Sequence, residues 1–351
     1  MYCDMKKFGF VMMFMLSVCL VYAQFAGGKG TAEEPYLIET AEHLDSLREY
    51  TGEAYENIHF RQNRDIDLSV FENWQPIGDD IDSFSGVYDG ANFQISGLVS
   101  DQEDRYVGLF GFVQSGRLEN VILTDVEVRG LYAVGGLVGY LRDSRAINCH
   151  VSGIVAAPGA VGGLIGYCRD SEVSDSRAYG KVVGRATVGG FAGYVQDATI
   201  KRSYAISEVA GNERVGGLLG VLNIGSEVSD CYAAGVVYGT KDFVGGLIGW
   251  MRESEAKNCY STSEVTAAVE NVGGFAGGYH TDFTIHSSYW NAEINEIDSS
   301  EMGIAKAKVE LLTADTFEGW DFESIWQLEE GESFPYLQWQ IDPGEYNYPQ
   351  Q

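Results

Sequence analysis

Val161-Gly162-Gly163-Leu164-Ile165-Gly166-Tyr167 and, 27 residues later, Val188-Gly189-Gly190-Phe191-Ala192-Gly193-Tyr194 are two copies of one phrase, and its recurrence decides the fold. Seven copies run through the chain, ending at Gly111, Gly139, Gly166, Gly193, Gly220, Gly249 and Gly277, at steps of 28, 27, 27, 27, 29 and 28 residues. A second phrase follows nine or ten residues after most of these glycines: Asn148-Cys149-His150, Asp175-Ser176-Arg177, Arg202-Ser203-Tyr204, Asp230-Cys231-Tyr232, Asn258-Cys259-Tyr260 and Ser287-Ser288-Tyr289. A third precedes the next glycine pair, as in Gly153-Ile154-Val155 and Lys181-Val182-Val183. Each repeat thus holds about three apolar runs of roughly four residues, broken by Gly, Asn, Asp and Ser, which is the pattern of short strands between tight turns. A fixed period of this size marks a stacked-repeat architecture, in which one repeat is one coil.

The expected fold is all-β: a three-sided parallel β-helix (a β-solenoid, expected to wind right-handed), with short helices near the N- and C-terminal caps. Stacked coils turn each repeat position into a ladder with a step near ~4.8 Å. Leu109, Leu137, Leu164, Phe191, Leu218, Leu247 and Phe275 form one ladder, expected inward. Cys149, Ser176, Ser203, Cys231, Cys259 and Ser288 form another, where a corner admits only small side chains. Cys231 and Cys259 are neighbours on it, but parallel Cβ vectors aim their sulfurs poorly for a disulfide, so buried free thiols are expected.

The phrases Val-Gly-Gly-Leu-x-Gly and Asn-Cys-Tyr resemble the GLUG-motif repeats of bacterial secreted and cell-surface proteins. The flanks are similar too, in Asp65-Ile66-Asp67-Leu68-Ser69, Trp74-Gln75-Pro76-Ile77-Gly78 and Phe334-Pro335-Tyr336-Leu337. The resemblance implies an extracellular β-helix, often linked with adhesion, without a settled biochemical activity. Some relatives carry a metallopeptidase domain; here the five histidines, His43, His59, His150, His280 and His286, form no H-E-x-x-H.

Residues 1–23 read as a signal peptide, with Lys6 and Lys7 before an apolar run from Phe8 to Val21 and cleavage expected after about Ala23. The run is shorter than the ~20 residues a membrane span needs, and no later segment qualifies. The expected product is exported, extracellular or at the cell surface, and not an integral membrane protein. A formal net charge of −28 argues against nucleic acid, whose binders present a basic face, and is consistent with solubility outside the cell. Residues 24–106 should form the N-terminal cap and first irregular coils, with Thr40 capping a short helix that presents Ala41, Leu44 and Leu47. Residues 107–289 form the repeats. Residues 290–351 form the C-terminal cap, in which Val309 to Phe317 is expected to be helical and Trp320, Phe322, Trp326, Phe334, Tyr336 and Trp339 to seal the core.

Two aromatic ladders are the candidate ligand-binding residues. Tyr140, Tyr167, Tyr194 and Trp250 follow the phrase's last glycine and, by strand alternation from the inward Leu ladder, point outward. Tyr204, Tyr232, Tyr260 and Tyr289 form the second. Such rows can present a surface to an extracellular glycan or a surface protein, or can simply pair with themselves and stabilise the sheet. Val221 breaks the first row. Stacked turn acids at Asp143, Asp170, Asp197 and Glu253 could attract Ca²⁺, but Arg142, Arg169 and Arg252 beside three of them can neutralise the ladder without metal. No metal or other cofactor is called for. Nor is catalysis: acids recur once per coil instead of clustering, and the coil with His150 and Arg177 is the nearest exception. The reading is a binding or adhesion module, with a carbohydrate-active β-helix enzyme (polysaccharide lyase or glycosidase) and a purely structural spacer as the alternatives.

Overall fold

A computed structural model describes residues 24–267, 270–295, 297 and 302–340; the leader reading falls outside them. Strands from successive coils pair in parallel into ladders of ten, eleven, seven and seven strands. One middle coil shows the plan: His150–Ala157, Ala160–Gly162, Ile165–Arg169 and Glu172–Ser174. The eight-residue strand belongs to the broad, eleven-stranded sheet, and Glu172–Ser174 to the ten-stranded sheet. The Val-Gly-Gly-Leu-x-Gly phrase lies across a crease between the two seven-stranded sheets, so one side of the solenoid is folded along its length.

The phrase follows from that crease. Leu109, Leu137, Leu164, Phe191, Leu218, Leu247 and Phe275 all point inward and are fully buried. Beside them the second glycine of each pair faces the broad sheet at close range. A Cβ on Gly163 would lie 2.4 Å from the carbonyl oxygen of Gly190 and 2.9 Å from Ala178 Cβ. Glycine is required there for close approach, its usual role where two backbones meet. Positive φ is found elsewhere, at the turn residues: Asn148, Asp175, Asp230 and Asn258 lie between 52° and 53°, and Asp143, Asp170 and Asp197 at 48°. Asn and Asp tolerate this region better than other side chains, which explains the acids of the Arg-Asp turns without any ligand.

After each of these turns comes a small buried residue. Cys149 N donates to Ser176 Oγ at 3.0 Å, Ser176 N to Ser203 Oγ at 3.2 Å and Ser203 N to Cys231 Sγ at 3.4 Å. The second corner repeats the device, with Gly116 N and Ser144 N donating to Ser144 Oγ and Ser171 Oγ at 3.0 Å. Cys149, Cys168, Cys231 and Cys259 are free and buried. Burial pushes the Cys149 and Cys168 thiols up to about 12 and raises Cys231. Because serine already fills the same ladder, Cys231→Ser and Cys259→Ser are each expected to cost less than about 1 kcal/mol, since a small side chain with an acceptor is kept. In the native protein neither thiol should react with a thiol-specific reagent until the chain unfolds; urea melts of the variants and timed alkylation check both.

The N-terminal end is closed as expected. Thr40 Oγ1 accepts from His43 N at 3.2 Å and caps the helix Ala41–Asp45, and a 3₁₀ turn, Ser46–Glu49, continues it. Phe25, Ala41, Leu44 and Leu47 join the core. Tyr36–Ile38 is the first strand. The C-terminal part departs from expectation. Ile304–Lys306 pairs with Tyr289–Asn291, and then the helix Lys308–Leu311 begins a strap that runs back along the outside of the broad sheet. Helix occupies only Lys308–Leu311 and a 3₁₀ turn, Ala314–Thr316, within the region Val309 to Phe317. The strap aromatics do not seal the solenoid's core. Phe317, Trp320 and Trp326 form a second apolar cluster with Leu311, Leu337 and the outer tyrosines, and Phe322, Phe334 and Trp339 pack against it. Trp290 and Met302 belong to the main core at that end of the solenoid instead.

Candidate functional site

The first aromatic row lies on the outer face of the creased side. Pairing sets Phe112, Tyr140, Tyr167, Tyr194, Val221, Trp250 and Gly278 in one column. Four rings stack face to face: Phe112–Tyr140 at 4.7 Å, Tyr140–Tyr167 at 4.8 Å and Tyr167–Tyr194 at 4.6 Å, with interplanar angles of 5°, 10° and 20°. The spacing is the coil step, so strand pairing imposes the stack. Tyr140, Tyr167, Tyr194 and Trp250 are half-buried, and across the crease Ala133, Ala160 and Thr187 have almost no exposure.

The phenol oxygens are also engaged. Each meets the residue that ends the same strand in the next coil: Arg169 for Tyr140, Gln196 Oε1 for Tyr167 at 3.0 Å and Asn223 Nδ2 for Tyr194 at 2.7 Å. Burial raises the Tyr140, Tyr167 and Tyr194 phenols above their ordinary value, so all three remain neutral at physiological pH. The arginines alternate with these rings. Arg142, Arg169 and Arg252 pair with the acid that follows each, at 3.3, 3.1 and 2.9 Å. Tyr106 packs edge-on against Phe112 and Tyr140, and Arg105 lies over Tyr106 and Tyr132 at 5.5 and 5.6 Å.

Val221 does not simply interrupt the row. It is 1% exposed between Tyr194 and Trp250, and the Arg214 guanidinium lies 6.0 Å from the Trp250 ring centroid and acts electrostatically on Tyr194. Gly278, the other gap, is filled by a ring: a Cβ there would lie 2.2 Å from the Phe243 ring. Arg214 and Phe243 have φ of 49° and 66°, uncommon for such side chains. The sequence reading missed both, since each comes from the neighbouring column. For Phe243 the signal was the 29-residue step from Gly220 to Gly249, and for Arg214 its place at the repeat position held by Ala133, Ala160 and Thr187.

The second row is not a free surface. Tyr204, Tyr232, Tyr260 and Tyr289 stand on the outside of the broad sheet but are 0, 5, 2 and 4% exposed, because the strap covers them. Tyr260 OH donates to Pro335 O at 2.6 Å, Trp326 Nε1 donates to Asp230 Oδ1 at 3.2 Å, and Trp339 Nε1 to Arg202 O at 3.0 Å. An extracellular ligand has no access to these four residues, and their role is attachment of the strap.

At the far end of the strap Trp339 stacks on His150, centroids 5.7 Å apart. Neither His150 nitrogen has a hydrogen-bond partner among the described residues. Burial and the adjacent Arg177 cation push its pKa down from 6.5 to about 3. The folded state therefore disfavours the proton relative to the unfolded chain. Stability is intact at pH 7 and is lost as the pH falls from about 6.5 towards about 3. By pH 5 the loss should approach about 2 kcal/mol. His150→Phe, which keeps the stack without a titrating group, should flatten the acid limb of the melting profile; an unchanged limb would refute the assignment. His150 thus lies against the strap through Trp339, and Arg177 beside it lies over the Tyr179 ring at 5.4 Å and donates to Tyr204 OH at 3.5 Å.

These features define a parallel β-solenoid assembled from a glycine-rich coil. The chain carries the GLUG motif: the family model of that description matches residues 130–156, one complete coil. A segment is 44% identical over 125 residues to a protein named as a Gly-rich membrane protein in Evansella cellulosilytica, covering 33% of this chain and 14% of that one. Another is 32% identical over 144 residues to halomucin of Haloquadratum walsbyi, covering 36% of this chain and 2% of that one. The chain therefore spans a small part of the length of these curated relatives. A crystal structure assigned to an immunoglobulin A1 protease of Bacteroides ovatus superposes with a TM-score of 0.64 and 23% identity, covering 90% of this chain and 96% of that one. That likeness concerns the fold.

Proposed function

We propose that the protein is an exported, cell-surface or extracellular binding module, with the creased side as its recognition face and a glycan as its ligand. The observation that carries this reading is the half-exposed row of Tyr140, Tyr167, Tyr194 and Trp250, interleaved with Arg142, Arg169 and Arg252. Exposed aromatic strips of this kind mark interaction surfaces. Among the described residues no helix is long and apolar enough to cross a membrane, and the relative named as a Gly-rich membrane protein supports a location at the envelope. The domain plan belongs to the same reading: a leader over 1–23, capping coils over 24–106, repeats over 107–289 and a C-terminal unit over 290–351.

One observation favours a structural spacer instead. The ring faces are spent on one another at 4.6 to 4.8 Å, so a ligand meets ring edges and polar neighbours, not open faces. A glycan array separates the two. Binding that is lost in Tyr167→Ala and Trp250→Ala, with the melting temperature retained, supports recognition; a full array without binding supports the spacer.

A further inference from the structure

The repeat is most irregular at one coil, and the irregularities lie together on the recognition face. Where Phe112, Tyr140, Tyr167, Tyr194 and Trp250 place an aromatic ring, this coil has Val221. Where Arg142-Asp143 and Arg169-Asp170 close the strand elsewhere, it has Asn223-Ile224-Gly225. The gap is walled by Tyr194 on one side and Trp250 on the other, each one coil away from Val221.

Two polar groups border the gap, and both act on Tyr194. Asn223 is 6% exposed and gives Nδ2 to the Tyr194 hydroxyl, while its Oδ1 is buried without a partner among the described residues. A buried amide oxygen left unpaired carries a penalty of about 1–3 kcal/mol, so such a group points to something that completes it. Arg214 is the second. Its neighbours on this face, Arg142, Arg169 and Arg252, are each neutralised by an adjacent acid, whereas Arg214 makes no ion pair among the described residues and rests against the Trp250 indole.

Phe243 shows what filling a gap alone requires. At the next coil an apolar ring, held in the same left-handed backbone region, covers Gly278 completely. A phenylalanine or leucine would cover Val221 as well. The half-buried Arg214 instead adds five N–H donors and a charge beside an indole, and a guanidinium can receive a carboxylate through two parallel hydrogen bonds.

Resting on the proposed recognition of glycans, we infer that this coil is a subsite for a sugar bearing a carboxylate. Arg214 takes the carboxylate, Asn223 Oδ1 accepts from a sugar hydroxyl, and Trp250 and Tyr194 bound the ring. The rest of the face, where each arginine has its own acid, serves the neutral residues of the same chain.

The test titrates the full mature chain with oligogalacturonides and with neutral galacto-oligosaccharides of equal length, following tryptophan fluorescence and calorimetry. The uronate series should bind more tightly. Arg214→Gln should erase that preference, and Arg214→Lys should weaken uronate binding at least tenfold while leaving the neutral series within twofold. Asn223→Asp should weaken the uronate series by placing a like charge beside it. Arg185→Gln, one coil away, controls for general loss of positive charge, and circular dichroism checks folding throughout. Equal binding of both series, unaffected by Arg214→Gln, overturns the subsite and leaves glycan recognition standing. Binding of neither overturns both.

Discussion

Gly190→Val is expected to leave the protein without a folded state at 37 °C, and Gly190→Ala to cost several kcal/mol. A Cβ at Gly190 would lie 2.1 Å from the carbonyl oxygen of Gly217 and 3.1 Å from Ala205 Cβ. The first of these atoms is backbone of the next coil, whose strands are fixed on both sides by ladder pairing. It cannot swing aside as a side chain could. Relief requires the coils to separate at the crease, which sacrifices the hydrogen bonds from Phe191 N and Ala192 N to Leu218 O at 2.9 and 3.1 Å. Losses above about 4 kcal/mol are exceptional for single substitutions and would consume most of the margin of an ordinary domain. Gly319→Ala is the control: its φ of 83° imposes strain, but nothing lies within 4 Å. It should lower stability by only about 1 kcal/mol. Urea melts of the three proteins decide the matter, and a Gly190→Ala variant as stable as wild type would contradict the stacking.

The second large effect concerns the strap. Trp326→Ala is expected to cost about 3–5 kcal/mol, the usual range for removing a buried tryptophan, and to detach the strap while leaving the coils wound. Trp326 is fully buried at the centre of the outer cluster, 4.4 Å from Trp320 and 6.0 Å from Tyr260 between ring centroids. The solenoid core is a separate cluster on the other side of the broad sheet. Hydrogen exchange should therefore rise over residues 308–340 and on the outer strands at Tyr204–Gly211, Tyr232–Gly239 and Tyr260–Ala267, but not in the strand Val138–Arg142. A global loss of protection would show instead that strap and coils fold as one unit.

The coils were legible in the sequence because the inward and corner positions hold their size from coil to coil, and the reason is geometric. The leucine ladder and the serine and cysteine corner are periodic, the capped helix at Ala41 is local, and the structure places the first two where the repeat predicts and the third where Thr40 and the apolar spacing predict. What the sequence hid is whatever depends on contact between distant columns. The Tyr204 row and the Tyr140 row look alike as text, yet one lies beneath Trp326 and the other faces solvent, because residues 308–340 fold back across the broad sheet alone. Likewise Val221 reads as a break until Arg214, seven residues earlier and just before the adjoining strand Val215–Gly216, is seen against the next ring of the row, Trp250. The tryptophans of the C-terminal unit signalled a seal; nothing in their spacing said which surface they would close.

Tyrosine footprinting by hydroxyl radicals, read by mass spectrometry with and without a bound glycan, tests the account most directly. In the free protein the exposed Tyr132 and Tyr238 should label first, the half-buried Tyr140, Tyr167 and Tyr194 more slowly, and Tyr204, Tyr232 and Tyr260 scarcely at all. Ligand should then protect Tyr140, Tyr167, Tyr194 and Trp250 and leave Tyr238 unchanged. Ready labelling of the Tyr204 row in the free protein, or ligand protection confined to Tyr238, would contradict it.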